Sequence, residues 1–125
     1  MYRKIFNFAG EVRGQKSEGR TYLDLGTVKE TARVKLNGKD LGVLWCSPWR
    51  VDISGAIKFG ENALEIAVAN LWPNRLVGDS NLPGEQRRTR TEMFFGGPDY
   101  QFSSGLLGPV TIQAAQPTAT KDQSK

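Results

Sequence analysis

The chain has 125 residues, of which 38% are hydrophobic and 24% charged, with 14 Gly, 6 Pro and a formal net charge of +4. That length fits one domain able to bury roughly two thirds of its unfolded surface, and the glycine and proline content favours many turns and an all-β architecture. The single Cys46 excludes an intrachain disulfide, the lack of His excludes imidazole catalysis and His-ligated metal, and no apolar run is long enough to span a bilayer.

Tyr2 to Ala9 (YRKIFNFA) is aromatic and β-prone and predicts a first strand docked into a sheet. Glu11 to Gly19 is polar with two glycines, hence a loop, and Arg20 to Gly26 (RTYLDLG) predicts the second strand. Thr27 to Glu30 reads as a turn. Ala32, Val34 and Leu36 then alternate with Arg33 and Lys35, and beyond Asn37-Gly38, Leu41 and Val43 alternate with Asp40 and Gly42. Asn-Gly tolerates positive φ at both central positions of a type I′ turn. A two-residue hairpin therefore pairs Val34 with Leu41 and Ala32 with Val43, and sets Lys35 opposite Asp40. In that register Trp45 falls on the Val43 face, at the core or the following corner.

Pro48 removes a ladder donor and makes a corner in the run Leu44 to Trp49. Trp49, Val51 and Ile53 alternate with Arg50 and Asp52, which makes Trp49 a core residue. Ser54 to Lys58 reads as one helical turn capped by Ser54. Phe59 to Asn62 is a tight turn into a strand with Leu64, Ile66 and Val68 against Ala63, Glu65 and Ala67. Sustained helical period is found nowhere. Leu71 to Ser104 is a long irregular excursion, Leu106 to Gln113 (LLGPVTIQ) a last strand, and Ala114 to Lys125 a disordered tail. About eight strands with short turns predict a two-sheet antiparallel β-sandwich of the jelly-roll kind over residues 1–113, with a tail over 114–125.

The runs LDLGTVKETARVKLNGKDLGVLW, PWRVDISGAIKFGENALEIAVANLWPNRLVGD and SGLLGPVTI carry a resemblance. Together they resemble the sugar-binding-like jelly roll of glycoside hydrolase family 2, and are most similar to the C-terminal copy in α-L-rhamnosidases of the family 106 type. The resemblance implies a galactose-binding-like fold and an accessory domain whose catalytic carboxylates lie on a separate barrel. It also implies a parent enzyme that is secreted or periplasmic. This chain shows no signal-peptide h-region behind Met1 and, as written, would be expected to stay in the cytoplasm.

Exposed indole faces stack on pyranose C–H faces, so Trp45, Trp49 and Trp72 are the first residues to ask about. Trp72 lies outside the regular strands. Asn74, Arg75 and Asp79 follow it closely and offer the amide, guanidinium and carboxylate that pair with vicinal hydroxyls. Their alternative role is an Arg75–Asp79 bridge that anchors the segment to the sandwich. Phe94, Phe95 and Tyr100 surround Gly96-Gly97-Pro98, as a ligand rim or as a plug on an open sandwich end. The expected carbohydrate-binding set is thus Trp72, Asn74, Arg75, Asp79, Tyr100 and Trp45. No cofactor is expected. Asp, Asn and backbone carbonyls could hold a structural Ca²⁺ in a loop, though no EF-hand-like spacing is present.

Nothing in the spacing of the carboxylates selects the facing pair that glycoside hydrolysis needs. The basic residues are scattered apart from Arg87, Arg88 and Arg90, so neither nucleic acid nor membrane is expected as a partner. The leading expectation is a non-catalytic carbohydrate-binding accessory domain of a glycoside hydrolase. Its partners are a plant or bacterial polysaccharide and the parent's catalytic domain. The alternatives are a purely structural domain that packs against that barrel and, behind both, a small glycosidase.

Overall fold

A computed structural model of the chain describes residues 1–10, 19–90 and 102–115. Residues 11–18 of the expected loop, the aromatic rim with Tyr100, and residues 116–125 of the expected tail lie outside the described residues. The strands are β1 (Tyr2–Phe8), β2 (Thr21–Asp24), β3 (Thr27–Lys29), β4 (Thr31–Leu36), β5 (Lys39–Leu44), β6 (Arg50–Asp52), β7 (Gly60–Ala69), β8 (Gly105–Gly108) and β9 (Thr111–Ala114). One helix, α1 (Trp72–Ser80), and a 3₁₀ turn at Gly84–Gln86 lie between β7 and β8.

Every ladder between these strands is antiparallel. One sheet runs β1-β7-β4-β5; facing it are the sheet β6-β2-β9 and the pair β3-β8. Ala32, Val34, Leu36, Leu64 and Ile66 project from the first layer, at period two along β4 and β7. Leu23, Leu25, Val28, Ile53 and Ile57 meet them from the second. This is the expected all-β sandwich, and each fully buried aliphatic side chain stabilises it by roughly 1.5–3 kcal/mol.

The Asn37-Gly38 turn forms as predicted, with φ of 53° and 80°, and Lys35 stands opposite Asp40. The expected pairing then fails. Between Arg33 and Lys35 the register shifts by one, so that Val43 faces Arg33 and Leu44, not Val43, faces Ala32. The extra residue sits at Gly42, whose φ is 96° and whose N–H donates to Asp40 Oδ1 at 3.0 Å. A bulge of this kind reverses the phase of all that follows it. Leu44 turns toward the core, while Val43 is exposed and Trp45 is 75% exposed, which overturns the inward placement of both. Trp49 is half-buried against the core, as expected.

Four further expectations are corrected. Thr27–Lys29 is a strand paired with β8, not a turn. The run Leu106 to Gln113 is two strands, because the chain breaks at Gly108-Pro109 and passes from β3 to β2 as its partner. Ser54 does not cap a helix: its Oγ accepts the buried N–H of Thr21 at 2.9 Å. Ala114 belongs to β9 rather than to a tail, and the Ala115 N–H donates to the Arg20 carbonyl at 2.7 Å. Among the described residues no helix is long and apolar enough to cross a membrane.

Candidate functional site

The excursion after β7 is organised by α1, where the sequence predicts irregular chain. Leu71 enters it in extended conformation without a side-chain cap, and Pro in the first turn supplies a preset φ. The other end is closed from outside. Arg87 donates from Nη2 to the Ser80 carbonyl at 3.1 Å, an acceptor that the helix terminus leaves open, and from Nε to the Leu82 carbonyl just past the cap at 2.7 Å.

Four of the six expected site residues, Trp72, Asn74, Arg75 and Asp79, come together on this helix. Their roles differ. The Asn74 amide is engaged at both ends: Nδ2 donates to the Phe102 carbonyl at 2.6 Å and to Ser104 Oγ at 3.1 Å, and Oδ1 accepts the Phe102 N–H at 2.8 Å. It therefore pins the approach to β8 against the helix. Asp79 is 3% exposed. Its Oδ1 faces Arg75 Nε at 3.3 Å, while Oδ2 accepts the N–H groups of Arg88 at 3.1 Å and Thr89 at 2.8 Å and the Thr89 hydroxyl at 2.7 Å. That hydroxyl, above all, holds the Asp79 carboxyl below the usual carboxylate range; burial opposes it, and the two N–H groups and the Arg75 charge reinforce it. The bridge expected between Arg75 and Asp79 is present.

Trp72 is 69% exposed. Helical geometry places Arg75 one turn along on the same face, and Gly78 beyond it, so the outer stripe of α1 reads Trp72, Arg75, Gly78, all exposed. Trp45 lies apart from the helix, directly after β5. Because β5 and β7 both run antiparallel to β4, their C-terminal ends share one end of the sheet, two strand spacings or roughly 10 Å apart. Both strands thus deliver an exposed indole to the same end, joined there by exposed Leu71. Tyr100 falls outside the described residues. The contribution of Arg87, Arg88, Thr89 and Phe102 was not legible locally, since each meets α1 from 7 to 28 residues away in sequence.

Asp24, Asp40 and Asp52 are also held by structural partners. Asp24 Oδ1 accepts the Gly26 N–H at 2.8 Å and its Oδ2 faces Arg50 Nε at 3.8 Å; the Arg50 guanidinium in turn lies over the Tyr22 ring at 5.6 Å. Arg33 hydrogen-bonds Asp40 through Nε at 2.9 Å and also through Nη2, and these bonds keep the Asp40 carboxyl below the usual range. For Asp52 burial works against ionisation, but the Ser54 hydroxyl and N–H and the Arg20 charge outweigh it, and its pKa is lowered as well. Among the described residues no three Asp, Glu, Cys or His side chains converge in the way a metal ion requires.

No family model matches the chain. A putative β-glucuronidase from Formosa agariphila is 38% identical over 89% of this chain and 11% of its own length. The rhamnosidase of Novosphingobium sp. PP1Y superposes with a TM-score of 0.78 at 41% identity, covering 91% of this chain and 10% of that one. An FMN-binding β-glucuronidase from Facaelibacterium prausnitzii L2-6, at 20% identity and a TM-score of 0.54, shares the fold over 90% of this chain and 15% of its own. The chain spans about a tenth of the length of the first two. In sequence and in fold it is similar to one domain-sized piece of large glycoside hydrolases.

Proposed function

We propose that this chain is a non-catalytic accessory domain of a glycoside hydrolase, of galactose-binding-like jelly-roll type, which contacts carbohydrate through the exposed indole of Trp72. The parent enzyme in this reading is a secreted or periplasmic hydrolase of the family 2 or family 106 kind. Its catalytic carboxylates lie on another domain. The observation that carries the carbohydrate reading is the Trp72 ring standing free on the outer stripe of a helix whose polar neighbours are fixed from within. A sugar face laid on that ring excludes water from apolar C–H groups, and the rigid helix underneath limits the ordering cost.

The non-catalytic part is supported by the chain spanning only about a tenth of the length of the two glycosidases it matches, and three of its carboxylates agree with it. A glycosidase general acid needs a raised pKa. Asp40, Asp52 and Asp79 are all shifted the other way, by partners that belong to the scaffold. A structural Ca²⁺ plays no part in this reading.

One observation favours a second role. Trp45, Leu71, Trp72 and Phe102 are all exposed, and the Asn74 and Asp79 groups that would have held hydroxyls are spent inside the domain. Such a surface also suits packing against a catalytic domain. Titration of the isolated chain with rhamnose, galactose, xylan and pectic oligosaccharides, followed by tryptophan fluorescence, separates the two. The carbohydrate reading expects a saturable change with at least one sugar that disappears in Trp72→Ala. A flat response to every sugar, unchanged by the substitution, leaves the packing role.

A further inference from the structure

The same helix face carries more positive charge than the scaffold uses. Residues 72–90 hold Arg75, Arg87, Arg88 and Arg90 against Asp79 and Glu85 alone. Arg87 spends its guanidinium on the Leu82 and Ser80 carbonyls. Arg75 meets Asp79 through Nε, on a side chain that is still 47% exposed. The Arg88 and Arg90 residues are exposed, and neither forms an ion pair among the described residues.

These groups are gathered by one carboxylate. Asp79 takes Arg75 on Oδ1 and the backbone of Arg88 and Thr89 on Oδ2, so the chain carrying Arg88 and Arg90 is laid along the helix beside Arg75. Trp72 stands one turn from Arg75 on the same stripe. The Asp79 charge is offset by the Arg75 charge and by these donors, which leaves Arg88 and Arg90 as the exposed charges without an acidic partner among the described residues. An aromatic ring beside three guanidinium groups, of which those of Arg88 and Arg90 have no acidic partner among the described residues, is complementary to a pyranose that bears an anion. The ring stacks on the indole and the anion takes the forked donors.

Building on the carbohydrate reading of Trp72, we infer that the Trp72–Arg75–Arg88–Arg90 face selects anionic pyranosides, bearing a carboxylate or a sulfate ester, over neutral ones. The test titrates the full chain with oligogalacturonate, with sulfated dextran oligomers and with neutral xylo-oligosaccharides, at low and at high salt. The wild-type chain is compared with R88Q/R90Q and with Trp72→Ala, and near-UV circular dichroism checks that each variant is folded. Arg88 and Arg90 are surface residues with no scaffold bond through their side chains, so the double variant is expected to fold.

The inference expects at least one anionic oligomer to bind about tenfold more tightly than the neutral one at low salt, since two exposed charge contacts contribute up to about fivefold each. High salt and R88Q/R90Q should both bring the ratio toward one, and Trp72→Ala should abolish binding of either kind. A preference confined to oligogalacturonate identifies the carboxylate as the anion; one confined to the dextran oligomers identifies the sulfate ester. Equal affinity for anionic and neutral oligomers, or a preference that survives R88Q/R90Q, overturns the inference and leaves the Trp72 reading standing. Silence with every oligosaccharide overturns both.

Discussion

Gly26 and Gly108 meet backbone to backbone where the two halves of the second layer join. A Cβ on Gly26 would lie 2.4 Å from the Gly108 carbonyl carbon and oxygen and 2.7 Å from the Pro109 nitrogen, at a φ of 67°. Gly38 has a φ of 80° but open space around its missing Cβ. The two positions therefore separate steric cost from conformational cost. Gly38→Ala should cost about 1–2 kcal/mol, the strain of a left-handed residue alone. Gly26→Ala should cost about 2–4 kcal/mol, because displacement of backbone adds to that strain. Urea unfolding of both variants measures the difference.

Asn62 shows a second residue-scale dependence. Its side chain is 1% exposed, and it accepts from Lys58 N and Asn37 Nδ2 while donating to the Lys58 and Gly60 carbonyls, all at 2.8–2.9 Å. Asn37 in turn donates to the Ala56 carbonyl and accepts the Ala63 N–H, so two amides tie the hairpin turn to the loop before β7. Asn62→Ala leaves several of these groups buried without partners and should destabilise by about 2–4 kcal/mol in the same assay.

At the scale of the element, the bulge at Gly42 decides which side of β5 is inside. Trp45→Ala should change stability by no more than about 0.5 kcal/mol, since the indole is exposed. An unbulged strand would put that ring in the core and raise the cost to about 3–5 kcal/mol. Helix α1 depends instead on ionised Asp79. Because the folded pKa is lowered, its contribution is complete above the ordinary carboxylate value near about 4 and is lost as the pH falls through the folded value. Asp40 and Asp52 act in the same direction. Hydrogen exchange at the Thr89 amide, taken relative to its intrinsic rate at each pH, should therefore be slow at neutral pH and accelerate selectively in acid. In Asp79→Asn it should be fast throughout.

These elements also show where the sequence was legible. The Asn37-Gly38 turn and the alternation of β4 and β7 were clear, because a two-residue turn and a half-buried strand each leave a local pattern. The bulge was not, since Gly42 fits the polar phase of an unbulged strand equally well and only the opposing strand reveals the extra residue. Helix α1 was hidden by its length of two and a half turns, by Pro73 and Gly78, and by the lack of a side-chain cap, an acidic first turn or a basic last turn. Its stabilising partners, Arg87, Thr89 and Phe102, come from segments with no periodic relation to it. Among the candidate site residues the cluster of Trp72, Asn74, Arg75 and Asp79 was found from proximity in sequence, but only the structure divides it into an exposed ring and an internal polar anchor.

For the molecule as a whole, the sandwich supplies a rigid body and places α1 and the end of β5 at one end of the four-stranded sheet. Function in this account belongs to that end and not to the pleated faces. The chain has three indole N–H groups, those of Trp45, Trp49 and Trp72, so each tryptophan environment can be watched separately by NMR. Adding a pectic oligosaccharide to the labelled domain should shift the Trp72 indole resonance saturably while the half-buried Trp49 stays in place. If the ligand shifts none of the three, or moves only Trp49, the account of α1 as a carbohydrate-contacting face is contradicted.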